Sequence, residues 1–145
     1  LAISSIPKTI IMNIKNAAIL KNLTPDVIIG KLFSYHNKAH LYHLQTHTIG
    51  HHKLLDELYK ALVDSKDDIG EYLLGVQVPE RFSNVVMDQI EPYSDENLNA
   101  FLAEGFQFTI SLIEYAKNKN LEELANLASD LQQSFVKAQL FMTYK

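Results

Sequence analysis

Apolar residues recur along this chain at intervals of three and four, and no strand-length stretch alternates apolar with polar, so the pattern predicts helices throughout. Thr24-Pro25-Asp26 reads as a helix start, with a hydroxyl at the N-cap, proline at the first position and an acid in the first turn. Val27, Ile28, Leu32, Phe33 and Tyr35 supply the apolar positions of that helix, which is expected to run to about residue 46. A second helix is expected over residues 49–76, with Leu54, Leu55, Leu58, Leu62, Ile69 and Leu73 on one apolar arc, stopped by Val78-Pro79 because a residue before proline disfavours the helical region. A short helix over 82–90 precedes Glu91-Pro92. Ser94-Asp95-Glu96 then caps a third long helix to about residue 117, whose apolar set is Leu98, Phe101, Leu102, Phe106, Phe108, Leu112, Ile113 and Tyr115. After the turn Asn118-Lys119-Asn120, Asn120 with Glu123 reads as a capping box opening a fourth helix over 121–144, with Leu124, Leu127, Leu131, Phe135, Ala138 and Met142 inward. The sum is an all-α four-helix bundle over residues 24–145, with a long crossover and a short helix between helices 2 and 3, preceded by an N-terminal extension over 1–23.

The extension is apolar and lightly basic, with Lys8, Lys15 and Lys21 and no acid before Asp26. Three readings stay open: an amphipathic helix over 10–20 packing on a neighbour, a tail touching DNA, or upstream sequence ahead of a start at Met12. Packing is favoured, because a nucleic-acid tail is expected to be polar and flexible, not isoleucine-rich. A cleaved leader is disfavoured, since Pro7 and Lys8 interrupt any apolar run.

Composition narrows the chemistry. With 145 residues, a single core needs neither disulfide nor structural metal. The absence of cysteine rules out thiolate zinc sites and cysteine nucleophiles, and it fits a reducing compartment, so a cytoplasmic location is expected. A net charge of −4 argues against a general DNA-binding face, which leaves DNA as a partner only through a local contact. No apolar run reaches the length of a membrane span, so no membrane partner is expected. Phosphate-binding glycine loops, zincin elements and serine-nucleophile elbows are also missing.

What remains is concentrated between His40 and Glu71. In order come His40, eleven residues, His52, three residues, Asp56, ten residues, Asp67, three residues and Glu71. Two imidazoles and three carboxylates suit a divalent transition metal such as iron, manganese or zinc. On a helix, His52/Asp56 and Asp67/Glu71 are i, i+4 pairs, each able to offer two groups to one ion. Fifteen residues at 1.5 Å each separate the pairs by about 22 Å along one straight helix, so neither half can complete the other within one chain. All four nevertheless lie in an arc of roughly 100°, beside Tyr59, Val63 and Leu74, distinct from the leucine arc. A two-fold axis near Tyr59 and Val63 would bring His52/Asp56 of one copy beside Asp67/Glu71 of the other, giving two equivalent sites per homodimer. A rival uses the stripe His36, His40, His43 and His47, in which His36/His40 or His43/His47 alone hold zinc or copper. Solvated or hydrogen-bonded helix residues are the plainer account of His36, His43, His47 and His51.

The segment Ala39-His40, with His52-Lys-Leu-Leu-Asp56 and Asp67-Asp-Ile-Gly-Glu71, resembles the Dps-type mini-ferritins, DNA-binding proteins from starved cells within the ferritin-like superfamily. The likeness is close over about thirty-five residues and otherwise extends to length and helix pattern. Where that family has Trp-Asn after the first histidine and a glycine five positions beyond it, this chain has Leu41, Tyr42 and Gln45, with Gly50 later. The resemblance implies a ferritin-like bundle, a ferroxidase centre between two subunits with His40, His52, Asp56, Asp67 and Glu71 as iron ligands, iron storage in a dodecameric cage, and protection against oxidative damage. Zinc or manganese in place of iron stays open. The alternative is a metal-free ferritin-like bundle serving as a structural or interaction module, its acidic arc a polar dimer interface. An ordinary intrasubunit di-iron site is disfavoured, because the chain has no Glu-x-x-His element and no histidine after His52.

Overall fold

The computed structural model describes residues 22–77 and 81–143. The readings made for the extension, and the stop expected at Val78-Pro79, lie outside the described residues.

Local chemistry sets the helix starts. Thr24 adopts extended backbone and its hydroxyl accepts the Val27 N–H at 3.2 Å, opening α1 (Pro25–Gln45), with Pro25 and Asp26 in the first turn. The Thr46 N–H closes α1 on the Tyr42 carbonyl. Thr48 then accepts the His51 N–H on its hydroxyl at 3.2 Å and the His52 N–H on its carbonyl, which starts α2 (Ile49–Gln77). Ser94 caps α3 (Asp95–Asn118) by accepting the Asn97 N–H at 2.9 Å. The fourth helix, α4 (Glu122–Met142), begins without a side-chain cap.

That last start corrects the expected capping box. Asn120 does not cap α4; it stands at φ 58° and ends α3. The Leu121 N–H reaches back to the Ala116 carbonyl at 2.8 Å and the Asn120 N–H to the Lys117 carbonyl at 3.2 Å, which is the Schellman arrangement. Asparagine tolerates the left-handed region better than other residues with a Cβ, and here that tolerance makes a two-helix turn possible.

Among the described residues the fold is an all-helical bundle of four helices. Helix α1 packs on α2, α3 on α4, α2 on α4, and α1 more lightly on α3. The leucine arc of α2 is fully committed to the core: Leu54, Leu55, Leu58, Leu62, Ile69 and Leu73 are all buried. They meet Ile28, Leu32, Tyr35, Ala39 and Tyr42 of α1, the aromatic set of α3, and Leu124, Ala128, Leu131, Phe135 and Ala138 of α4 in one cluster. Leu127, Met142, Ile113 and Tyr115, expected inward, are only half-buried at its edge. At the centre Tyr35 packs edge-on against Phe108 and Phe135, with centroids 5.3 and 6.1 Å away. The Phe135 ring occupies the space above Gly105, where any Cβ would strike it. The Tyr35 hydroxyl has no hydrogen-bond partner of good geometry; burial first, and then the nearby Glu104 carboxylate, hold its pKa well above that of free tyrosine.

Residues 81–94 form no helix, which corrects the short helix expected over 82–90. Their backbone is held from outside by α1. Asp26 accepts the Asn84 N–H at 3.0 Å, and Ser34, whose hydroxyl donates to the Gly30 carbonyl, accepts the Asp88 N–H at 2.8 Å. Lys31 pairs with Asp88 at 2.9 Å, Lys38 with Glu91 at 3.5 Å, and the Tyr42 hydroxyl donates to the Glu91 carbonyl at 3.1 Å. Farther on, the Thr46 hydroxyl donates to Tyr93 at 3.1 Å. The partners climb α1 in register from Asp26 to Thr46, so the segment lies along that helix from its start to its end. Side chains that capture N–H groups one by one compete with helical pairing, and the β-branched Val85-Val86 pair lowers helix propensity further.

The Val86 carbonyl oxygen sits where a Cβ on Gly30 would be. Gly30→Ala is therefore expected to destabilise the protein by about 1–3 kcal/mol, because backbone must move. Gly75, with open space around it late in α2, is the control: Gly75→Ala should gain up to about 1 kcal/mol from helix propensity. Urea unfolding of the two variants checks both signs.

Candidate metal centre

The three-residue turn between α1 and α2 folds the last turns of α1 against the first turns of α2, and this is where the histidines gather. His43, near the end of α1, stacks on His52, in the first turn of α2, with ring centroids 3.9 Å apart and planes 28° from parallel. Two hydrogen bonds close the same contact reciprocally. His52 Nδ1 lies 3.1 Å from the His43 carbonyl oxygen, and His43 Nδ1 lies 3.1 Å from the His52 carbonyl oxygen. A carbonyl only accepts, so in this arrangement both Nδ1 atoms donate, and in the neutral form of each ring Nε2 keeps its lone pair.

Tyr59, two turns into α2 and half-buried, supplies the floor. His40 stacks on it at 4.6 Å, and His43 and His36 lie 5.4 and 6.2 Å away. His40 is exposed. Asp56, one turn beyond His52, is half-exposed and holds Lys60 at 2.9 Å. That hydrogen bond, helped by the charge of Lys60, keeps the Asp56 pKa below its ordinary value against the opposing effect of desolvation.

Of the five residues expected as ligands, the structure brings His40, His52 and Asp56 to one end of the α1–α2 pair, around Tyr59 and His43. Asp67 and Glu71 are exposed and stand three and four turns farther along α2, on the same side of the helix. Since α2 is unbroken from Ile49 to Gln77, the separation of about 22 Å holds within one chain. Among the described residues no three histidines or carboxylates converge on a point. Between the two halves Val63 is 36% exposed, while Tyr59 is half-buried beneath His40.

The other histidines do separate work. His47 falls beyond the end of α1, so the expected four-histidine stripe is broken after His43. His51 contacts the Tyr93 hydroxyl at 2.9 Å through Nδ1 and lies 3.6 Å from Asp95, at the base of α3. His36 takes a hydrogen bond from the Lys66 ammonium at 3.4 Å; burial and that cation lower its pKa. Two members of the cluster were not legible as parts of it: His43, whose role depends on how the turn folds back, and Lys60, whose i+4 relation to Asp56 is a sequence signal that could have been read.

Lys60→Met is expected to raise the Asp56 ionisation midpoint toward the free value, read by carboxyl carbon NMR. A depressed carboxyl pKa contributes stability that is present above the unfolded carboxylate range and lost as pH falls through the folded pKa, so any advantage of wild type over the variant should be present at neutral pH and vanish as pH falls through that acid window. That advantage should be small even at neutral pH, because the pair is open to solvent. No family model, no curated protein and no solved structure matches the chain.

Proposed function

We propose that this chain is an iron-handling protein of the Dps mini-ferritin type, which takes up Fe(II), oxidises it at a centre shared by two subunits and stores the product as Fe(III). The observation that carries the reading is the placement of five ligand-type residues at that family's spacings, four of them as two pairs on the outward side of the unbroken α2 and His40 beside them on α1. His40, His52 and Asp56 come from one subunit and Asp67 and Glu71 from its two-fold mate. Mixed imidazole and carboxylate donors accommodate both oxidation states of iron, and they also admit zinc or manganese. Tyr59 and Val63 lie midway between the halves, where an antiparallel copy of α2 would cover them.

The ferritin-like form of the bundle belongs to the same proposal. Residues 81–94 running the length of α1 support it, since such a connection lets α3 start at the end of the bundle where α2 starts, as a bundle with one long crossover requires. A closed cage of twelve subunits, a cytoplasmic setting and protection of cell constituents from peroxide chemistry complete the reading.

The test is complementation between two inactive variants. His52→Ala and Glu71→Ala should each damage both sites of a homodimer. In a mixed dimer one site carries both lesions and the other joins intact halves, so co-expression should restore about one of the two sites per mixed dimer. Oxidation of Fe(II), followed optically on tagged and co-purified mixtures, reads the rescue. Mixed dimers with no recovered activity would overturn the shared centre. Asp56→Asn, which removes charge with little change of volume, should abolish most Fe(II) affinity while leaving the helical spectrum intact.

A further inference from the structure

We infer that His43 is the positioning residue of His52, fixing its tautomer and the aim of its free nitrogen. This deepens the proposed iron reading and rests on it only for the role of His52 as a ligand. Four observations carry it. The His43 carbonyl is 3.1 Å from His52 Nδ1, which forces the proton onto Nδ1 and leaves the Nε2 lone pair for a ligand. The His43 ring returns the contact, donating from its own Nδ1 to the His52 carbonyl at 3.1 Å. The rings lie face to face at 3.9 Å, which limits rotation of the His52 side chain about its last bond. Finally, the first turn of a helix is where backbone groups lack helical partners, and the Thr48 bonds to His51 and His52 hold this turn at the same height as His43.

The geometry also says what His43 does not do. In-plane lone pairs of two nearly parallel rings run side by side and do not meet, so His43 and His52 are poorly placed to chelate one ion together. His43 acts on His52, in the way that a carbonyl or carboxylate behind a ligating imidazole fixes its orientation.

Long-range proton–nitrogen NMR on the metal-free full chain, above the imidazole titration range, tests this directly. The expected result is a single His52 tautomer, protonated on Nδ1. His43→Ala keeps that carbonyl, and with it the Nδ1–H tautomer, but removes the stacked ring and the return bond, so the His52 ring should gain freedom about its last bond, read by ring-nitrogen relaxation. His43→Asn should restore part of the ring's order, because the asparagine amide nitrogen can stand where Nδ1 stood and donate to the same carbonyl. With Fe(II) under argon as the probe, affinity should fall by about tenfold or more in His43→Ala and recover in His43→Asn. A wild-type His52 protonated on Nε2, a His52 ring no more mobile in a folded His43→Ala protein than in wild type, or a His43→Asn protein indistinguishable from His43→Ala would each overturn the inference. If His43→Ala does not fold, the wild-type tautomer alone decides. Because the tautomer is read without metal, a protein that shows the expected tautomers but binds no Fe(II) would sink the iron reading and leave the role of His43 standing.

Discussion

Burial of one leucine arc sets the rotation of α2 about its own axis, and everything proposed for the chain follows from that rotation. Six large apolar side chains on α2 are fully enclosed. Fully burying each such side chain is worth about 1.5–3 kcal/mol, so turning the helix to present another face would cost far more than any surface ion pair could return. With that face committed, the arc holding His52, Asp56, Tyr59, Val63, Asp67 and Glu71 has no choice but to face outward. The rigid rise of the helix then spaces the two halves. Core packing thus determines where the candidate chemistry stands, although no core residue takes part in it.

Much of this was visible in the residues themselves. The leucine arc of α2 and the caps at Thr24 and Ser94 follow from periodicity and capping, which are local signals. The failures have local causes too. Asn120 carries two compatible signatures, an N-cap for the helix ahead and a left-handed terminator for the helix behind; hydrogen bonds from Leu121 and Asn120 back into α3 decide the matter. Residues 82–90 contain enough apolar groups to suggest a helix, but Asp26 and Ser34 of α1 claim their amides. No periodicity in residues 82–90 can report a competitor nearly sixty positions earlier in the chain.

The site divides along the same line. Spacing alone proposes two half-sites and gives the reason they cannot meet in one chain. It could not show that the turn at residues 46–48 presses His43 onto His52, since that contact depends on loop length and on the angle between helices. Nor did periodicity reveal that His47 leaves the stripe, because α1 stops two residues earlier, at Gln45.

The segment over residues 81–94 has a consequence for how the chain reaches this structure. The turn at residues 46–48 joins α1 to α2, and the turn around Asn120 joins α3 to α4, so each pair makes its contacts over short loops and can form early and independently. Low contact order within each pair favours rapid assembly. The two hairpins are then joined through a connection whose anchors are mostly isolated side-chain bonds to α1. Such a strap cannot find its partners until α1 is helical, which makes its seating a late event and its amides the first to exchange with solvent. The order of folding is thereby written into the connection: two fast halves, and a tether that records when they have docked.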